Sequence, residues 1–243
     1  MDDVRPILRT AVGQPNTAAV IKQSERILTT YRHYWPRDEE QEAQDGSGEG
    51  AEGSEYQWVE ECDAGDIMGD VVAKDASKEA KAAAAKSAEP RRAAFQAWLE
   101  NGGAFVGVHA ASDAGAADKY WPWFANMIGG LFNGHPAQQV AILRPIVKDH
   151  PANAHLGAEW KRKDEWYAFR NLAKDNVVLL EIDEKSYAPQ KGKEMGDHHP
   201  MTWCKEVGKG RMFYTALGHT KESFSEPDFI KHLDGGVRWV LKK

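Results

Sequence analysis

Residues 102–113 read GGAFVGVHAASD, and this stretch decides the fold. Positions 104–108 are apolar on both faces, as expected of a strand in the middle of a sheet covered by helices. Upstream, Phe95, Trp98 and Leu99 place an apolar stripe on a helix that starts after Pro90 and stops at Gly102-Gly103, where glycine supplies the left-handed turn. His109 follows the strand directly. Gly107-Val108-His109-Ala110-Ala111 has the strand-turn-helix form of a nucleophile elbow, with histidine where a Ser or Cys nucleophile would stand. Such a turn presents its side chain to the crevice beyond the carboxyl ends of the strands, where ligands of α/β sheets bind. An imidazole there moves protons near neutral pH or ligates a metal. The plainer alternative is a turn histidine satisfied by the backbone.

Working outward, Trp123, Phe124, Met127, Ile128 and Leu131 recur at helical spacing, and further strands are expected at 140–147, 177–183 and 211–217. The last helix reads as opening with a capping box, Ser225 and Asp228, and burying Phe229, Leu233, Val237 and Val240. This alternation predicts an α/β domain over 91–243, with a mostly parallel sheet and helices on both faces. Residues 1–90 form an atypical region. Residues 38–54 are acidic and rich in Gly and Ser, a composition expected to stay disordered. DASKEAKAAAAKSAEP reads as a solvated helix or spacer, and ERILTTY and EYQWVEE as short strand candidates.

Composition narrows the partners. The hydrophobic content of 42% suffices for one sizeable core. Thirteen acidic residues and no Lys or Arg lie between Arg37 and Lys74, more than the net charge of −6, so the remainder is net basic. Its cations are scattered singly, which offers no electrostatic footprint for nucleic acid. Cys62 and Cys204 make no disulfide framework and have no zinc-ribbon spacing. No signal peptide or membrane span is read, and a cytoplasmic location is expected. No dinucleotide or phosphate loop is present, so a nucleotide cofactor is not supported.

Other candidates sit at comparable places. His219 follows the apolar strand MFYTAL, which puts a second histidine at a strand end. His135 lies in NGHPAQQ, and His198-His199-Pro200 lies in a loop, where histidines are mostly solvated. Asp164 and Glu165 offer carboxylates beside Trp166 and Tyr167, against the plain reading of a solvated turn. Flat amphipathic rings suit the apolar face of a sugar. Trp121 and Trp166 are the aromatics assigned to a pocket, with Trp123 left to packing. Imidazole and carboxylate together suit zinc, so His109, His135 and His219 are also possible ligands of a divalent metal.

Six blocks in order, FQAWLENGGAFVGVHAASD, YWPWFANMIGGLFNGHP, DHPANAHL, KDEWYAFR, DHHPMTWCKEVGKGRMFYTALGHT and HLDGGVRWVL, resemble the trehalose-utilisation, ThuA-like family over about residues 95–241. The resemblance implies a class I glutamine amidotransferase-like, flavodoxin-like three-layer sandwich with His109 at the nucleophile's position. The first 90 residues depart from the family pattern, which implies N-terminal strands that are degenerate or missing. It further implies a sugar substrate, a disaccharide such as trehalose or its 3-keto derivative. His109, His219 and Glu165 are then the catalytic candidates, and Asp113, Trp121, His135, Asp164, Trp166 and His199 the substrate-binding ones. The rival expectation is a noncatalytic sugar-binding or regulatory module. Self-association into a homo-oligomer is open on either reading.

Overall fold

The strand of the opening stretch forms as read. In the computed structural model, which describes residues 57–59, 77–87, 89–114 and 117–242, it is β2 (Ala104–Val108), preceded by β1 (Gln57–Val59), α1 (Lys78–Ser87) and α2 (Glu89–Glu100). A one-turn 3-10 helix, His109–Ser112, follows β2, and then come α3 (Ala117–Tyr120) and α4 (Pro122–Ile128). Seven strands succeed them: β3 (Leu131–Gly134), β4 (Gln139–Pro145), β5 (Trp160–Asp164), β6 (Ala168–Arg170), β7 (Val177–Ile182), β8 (Pro200–Val207) and β9 (Gly210–Thr215). A final helix, α5 (Pro227–Val240), closes the series. ERILTTY and residues 38–54 lie outside the described residues.

The main sheet has the order β1-β2-β9-β8-β7-β4-β5, and β3 pairs with β6 in a small second sheet. The expected mostly parallel sheet is not what forms. Only β1 with β2 and β2 with β9 are parallel, while β9 with β8, β8 with β7, β7 with β4 and β4 with β5 are antiparallel. Parallel neighbours need a long crossover, usually a helix. Between Leu131 and Thr215 the described chain holds seven strands and no α-helix, so adjacent strands turn back on one another.

Two of those strands hide their pattern. In β5 the inward row is Trp160, Arg162 and Asp164 and the outward row Lys161 and Lys163, so alternation is present but hydropathy does not report it. β8 begins directly after His198-His199, inside what reads as a loop. EYQWVEE contributes β1, and the Ala/Lys segment forms α1, with Lys78, Glu79, Ala80, Ala83 and Lys86 exposed.

Two local readings are corrected. Leu131 does not extend the helical stripe, because Gly129 takes φ 81° and stops α4, and Leu131 starts β3. The Ser225–Asp228 capping box does not form. Ser225 ends a 3-10 turn, and α5 starts on Glu226 and Pro227 without a side-chain cap. The Glu226 carboxylate is engaged instead by Trp160 Nε1 at 3.0 Å and Arg162 Nη2 at 3.1 Å.

The core is centred on β9, whose Met212, Phe213 and Tyr214 are all fully buried. Phe213 stands on the face covered by α5. On the other face, Phe169 of β6 meets Trp203 and Tyr214 edge-on, at centroid distances of 5.1 and 6.1 Å. Strands buried on both faces at the sheet centre leave only their ends accessible. The carboxyl ends of the parallel pair β2 and β9 are where the chemistry-bearing side chains gather.

Candidate functional site

His109 is the first residue after β2 and holds φ 45°, a left-handed conformation that costs a non-glycine residue about 1–3 kcal/mol. The neighbouring strand holds it there. Tyr214 Oη donates to the His109 carbonyl at 2.8 Å, and Ser112 Oγ in turn lies 2.8 Å from Tyr214 Oη. Tyr214 is fully buried, and burial drives its phenol pKa well up, so it remains a donor. The imidazole is fixed as well. Nδ1 lies 2.8 Å from the Ala216 carbonyl, which can only accept, so Nδ1 carries the proton. Nε2 is therefore the working atom.

Three groups converge on that atom. Glu165 Oε2 is 3.1 Å from His109 Nε2, His219 Nδ1 is 3.1 Å from His109 Nε2, and His219 Nδ1 is 3.3 Å from Glu165 Oε2. The other carboxylate oxygen, Oε1, lies 3.0 Å from His135 Nδ1. That nitrogen also faces the Pro136 carbonyl at 2.9 Å. Between two acceptors His135 Nδ1 must be the N–H, which leaves Nε2 with its lone pair. His109 and Glu165 are buried, whereas His135 and His219 are exposed. Burial raises the Glu165 pKa. Hydrogen bonding with His109 and the closeness of His219, His135 and His109, which favours the carboxylate whenever these rings are protonated, outweigh that effect and hold it below the usual carboxylate range.

Asp164 sets the register of this cluster without facing it. It is fully buried, and both oxygens are occupied: Oδ1 accepts from the backbone N–H of Glu165 at 2.9 Å and of His219 at 3.2 Å, and Oδ2 from Gly218 at 2.8 Å. Arg162 Nη2 lies 3.2 Å from Oδ2, and its guanidinium sits between the Trp160 and Phe229 rings, 5.0 and 4.8 Å from their centroids. One carboxylate thus ties the β5 end to the loop after β9. Gly218 makes the tie possible, with φ 97° and a position where a Cβ would lie 2.7 Å from Phe229 Cζ.

The other sequence candidates separate. Trp166 is fully buried and donates Nε1 to the Gln139 carbonyl at 2.8 Å, and Trp121 packs in the core against Phe95, Trp123 and Phe124. Both rings are buried. The aromatic that does meet the cluster is Tyr167, its ring 4.0 Å from that of His109 and 4.4 Å from Phe132. His199 is buried away from solvent, with Nε2 at 2.8 Å from the Tyr167 carbonyl and Nδ1 at 3.1 Å from Glu184, so it supports Tyr167 from behind. Asp113 is exposed at the end of the 3-10 turn. The solvated-turn reading of Asp164 and Glu165 does not hold, since both are buried. Cys204 is buried, and burial pushes its thiol up to about 12, so it is inert. Tyr214, Ser112 and Arg162 carried no sequence signal of their own. Among the described residues no helix is long and apolar enough to cross a membrane.

Comparison with known proteins fits this arrangement. A ThuA-like protein from Bacteroides uniformis superposes with a TM-score of 0.54 at 30% identity, over 64% of this chain and 65% of that one. A ThuA-like protein from Parabacteroides merdae shares the fold with a TM-score of 0.51 at 20% identity, over 63% and 65%. The chain thus spans about 65% of the length of each. Among curated proteins no significant match is found. The family model described as trehalose utilisation matches residues 79–240, which include the whole His109–Glu165–His219–His135 cluster. The chain belongs to the ThuA, trehalose-utilisation, family.

Proposed function

We propose that this chain acts in carbohydrate metabolism on a disaccharide such as trehalose, or on its 3-keto derivative, by histidine acid/base chemistry at the end of β2. The observation that carries the reading is the meeting of His109 Nε2, His219 Nδ1 and Glu165 Oε2 within 3.3 Å of one another, backed by His135 on the far carboxylate oxygen. A keto group acidifies the adjacent C–H. The His135 Nε2 lone pair takes that proton while a proton held among His109, His219 and Glu165 is given to the developing enolate oxygen. The C–H electron pair moves into the enol, which then reprotonates at carbon elsewhere, an isomerisation, or reforms its carbonyl and expels the glycosidic oxygen, an elimination in which the enol's O–H proton returns to the cluster and a proton from it goes to the departing oxygen. The inactive tautomer problem is solved in advance, because backbone carbonyls fix which nitrogen of His109 and His135 is protonated. The amidotransferase-like sandwich, with His109 where that fold places a nucleophile, is consistent with this location.

The test is turnover of 3-keto-trehalose by wild type and by His109→Ala, with circular dichroism verifying that the variant is folded. Unchanged turnover in the folded variant sinks the assignment. Calorimetric binding of disaccharides by wild type, without product after prolonged incubation, replaces the enzyme with a sugar-binding module.

A further inference from the structure

The cluster has the dimensions of a cation site as well as of a proton relay. His109 Nε2, His219 Nδ1 and Glu165 Oε2 form a triangle with edges of 3.1, 3.1 and 3.3 Å. Zinc bound tetrahedrally at 2.0–2.2 Å from N and O ligands keeps those ligand atoms about 3.3–3.5 Å apart. Closing the triangle on such an ion therefore moves side chains by only a few tenths of an ångström. The three atoms belong to the one group of His, Cys, Asp or Glu side chains that meets ligand spacing among the described residues.

Hydrogen bonding alone serves this geometry poorly. Two ring nitrogens and a carboxylate oxygen point at a common space, and even with a proton on His219 Nδ1 shared between its two neighbours, the neutral His109 Nε2 and Glu165 Oε2 face one another at 3.1 Å as two lone pairs. A cation satisfies all three at once. The supporting contacts are also those of a ligand set. A metal-bound histidine commonly donates its other ring N–H to a backbone carbonyl, and His109 Nδ1 does so to Ala216 at 2.8 Å. Glu165 is steadied from behind through Oε1 by His135 Nδ1 at 3.0 Å. Asp164 holds the backbone of both Glu165 and His219. Two imidazoles and one carboxylate are a donor set of catalytic zinc, which keeps a further position open. The exposure of His219 leaves that position toward solvent.

We infer that His109 Nε2, His219 Nδ1 and Glu165 Oε2 bind one divalent transition-metal ion, zinc first, with an open position facing the crevice. The site itself stands on geometry; only its use rests on the keto-sugar reading above. In that use the cation replaces the shared proton in polarising the keto oxygen, and His135 Nε2 remains the base that accepts the C–H proton.

The experiment is calorimetric titration of the chelator-stripped full chain with zinc chloride, repeated with cobalt(II) to read the visible bands of low-symmetry coordination. One ion per chain is expected. His109→Ala, His219→Ala and Glu165→Gln should each weaken binding by more than about 100-fold, a larger loss than second-shell changes give. His198→Ala, a change in the surface pair with Glu181, should leave it intact. Absence of stoichiometric zinc and cobalt uptake overturns the proposal, as does uptake that survives the His109→Ala/His219→Ala double variant or is lost with His198→Ala. The two readings fail separately. Keto-sugar turnover by protein that takes up no ion overturns the metal site and leaves the function, whereas stoichiometric uptake without turnover does the reverse.

Discussion

Replacing Asp164 with asparagine changes one atom type in a fully buried position, and the consequence can be worked from its partners. Both oxygens accept now, Oδ1 from two backbone N–H groups and Oδ2 from Gly218 N and Arg162 Nη2. An asparagine keeps one acceptor. Placing its oxygen at Oδ1 sets the NH2 against two donors, and the opposite flip sets it against two others. With the NH2 at Oδ2 only the Gly218 N–H loses its acceptor, because Arg162 Nη2 keeps Glu226 Oε2 at 3.1 Å and Ser223 Oγ at 2.8 Å; with the NH2 at Oδ1 the N–H groups of Glu165 and His219 lose theirs, at about 1–3 kcal/mol for each stranded donor. Arg162 meanwhile keeps Glu226 as its remaining carboxylate, at 3.1 Å, and breaking one side of a buried pair costs about 3–5 kcal/mol. The two routes describe overlapping losses, so Asp164→Asn should destabilise by about 3–5 kcal/mol, or about 6–20 °C in Tm at about 2–4 °C per kcal/mol. Thermal unfolding by circular dichroism reads this, with exposed Lys163→Asn as the control in the same strand. The Arg162→Met/Asp164→Asn double variant should be less destabilised than the sum of the singles, because the stranded cation is gone. A Tm within 2 °C of wild type for Asp164→Asn would refute the clamp.

Three further outcomes follow from neighbouring contacts. Burial lowers the pKa of His232 to about 3 and of His150 to about 4, both below the value of 6.5 for an unfolded histidine. The unfolded chain therefore binds protons more readily below pH 6.5, so this stability is complete above that pH and is lost as pH falls toward 4. Urea unfolding at pH 5 should show about 1–2 kcal/mol less stability per group than at pH 7, and equal midpoints would contradict the buried neutral state. Tyr214→Phe removes the donor to the His109 carbonyl and should cost about 1–3 kcal/mol in urea unfolding, with keto-sugar turnover falling further than stability does. Gly218→Ala adds a methyl group 2.7 Å from the Phe229 ring at φ 97°. It should lower Tm and displace His219, and wild-type Tm together with wild-type zinc affinity would show that the turn tolerates a side chain.

Much of the sheet was legible because several of its strands carry runs of apolar residues. β2, β4, β7 and β9 all lie where hydrophobic runs place them. The direction of pairing is not legible, since strand and helix signals alternate on either side of a region that holds no α-helix between β3 and β9. β5 escaped because its inward row carries Arg162 and Asp164, a pair whose burial depends on partners distant in sequence. Tyr214 escaped for a different reason, although a signal existed. Gly107 interrupts an apolar strand, and a glycine in that setting marks a close approach. It pairs in register with Tyr214, and a Cβ there would lie 3.1 Å from the tyrosine ring.

The histidines show most plainly where sequence reading stops. The chain has nine, chemically identical when written as letters, and their roles are sorted by what each second nitrogen touches. His232 spends Nδ1 on the Ala152 carbonyl and Nε2 on Thr202, so it has no lone pair to offer and serves the core. His150 accepts from Ala152 N and turns its other nitrogen toward Cys204. His199 is consumed between Tyr167 and Glu184. In His109 and His135 a backbone carbonyl takes only one nitrogen, and Glu165 lies between them. That single carboxylate, which follows β5, five positions from β2 in the order of the sheet, and is adjacent in sequence to a residue devoted to structure, turns strand-end imidazoles into a site. Glu165 stands in the sequence as a candidate carboxylate, but its spacing does not show that it meets His109, because β5 is joined to the sheet through antiparallel pairings that the sequence pattern conceals.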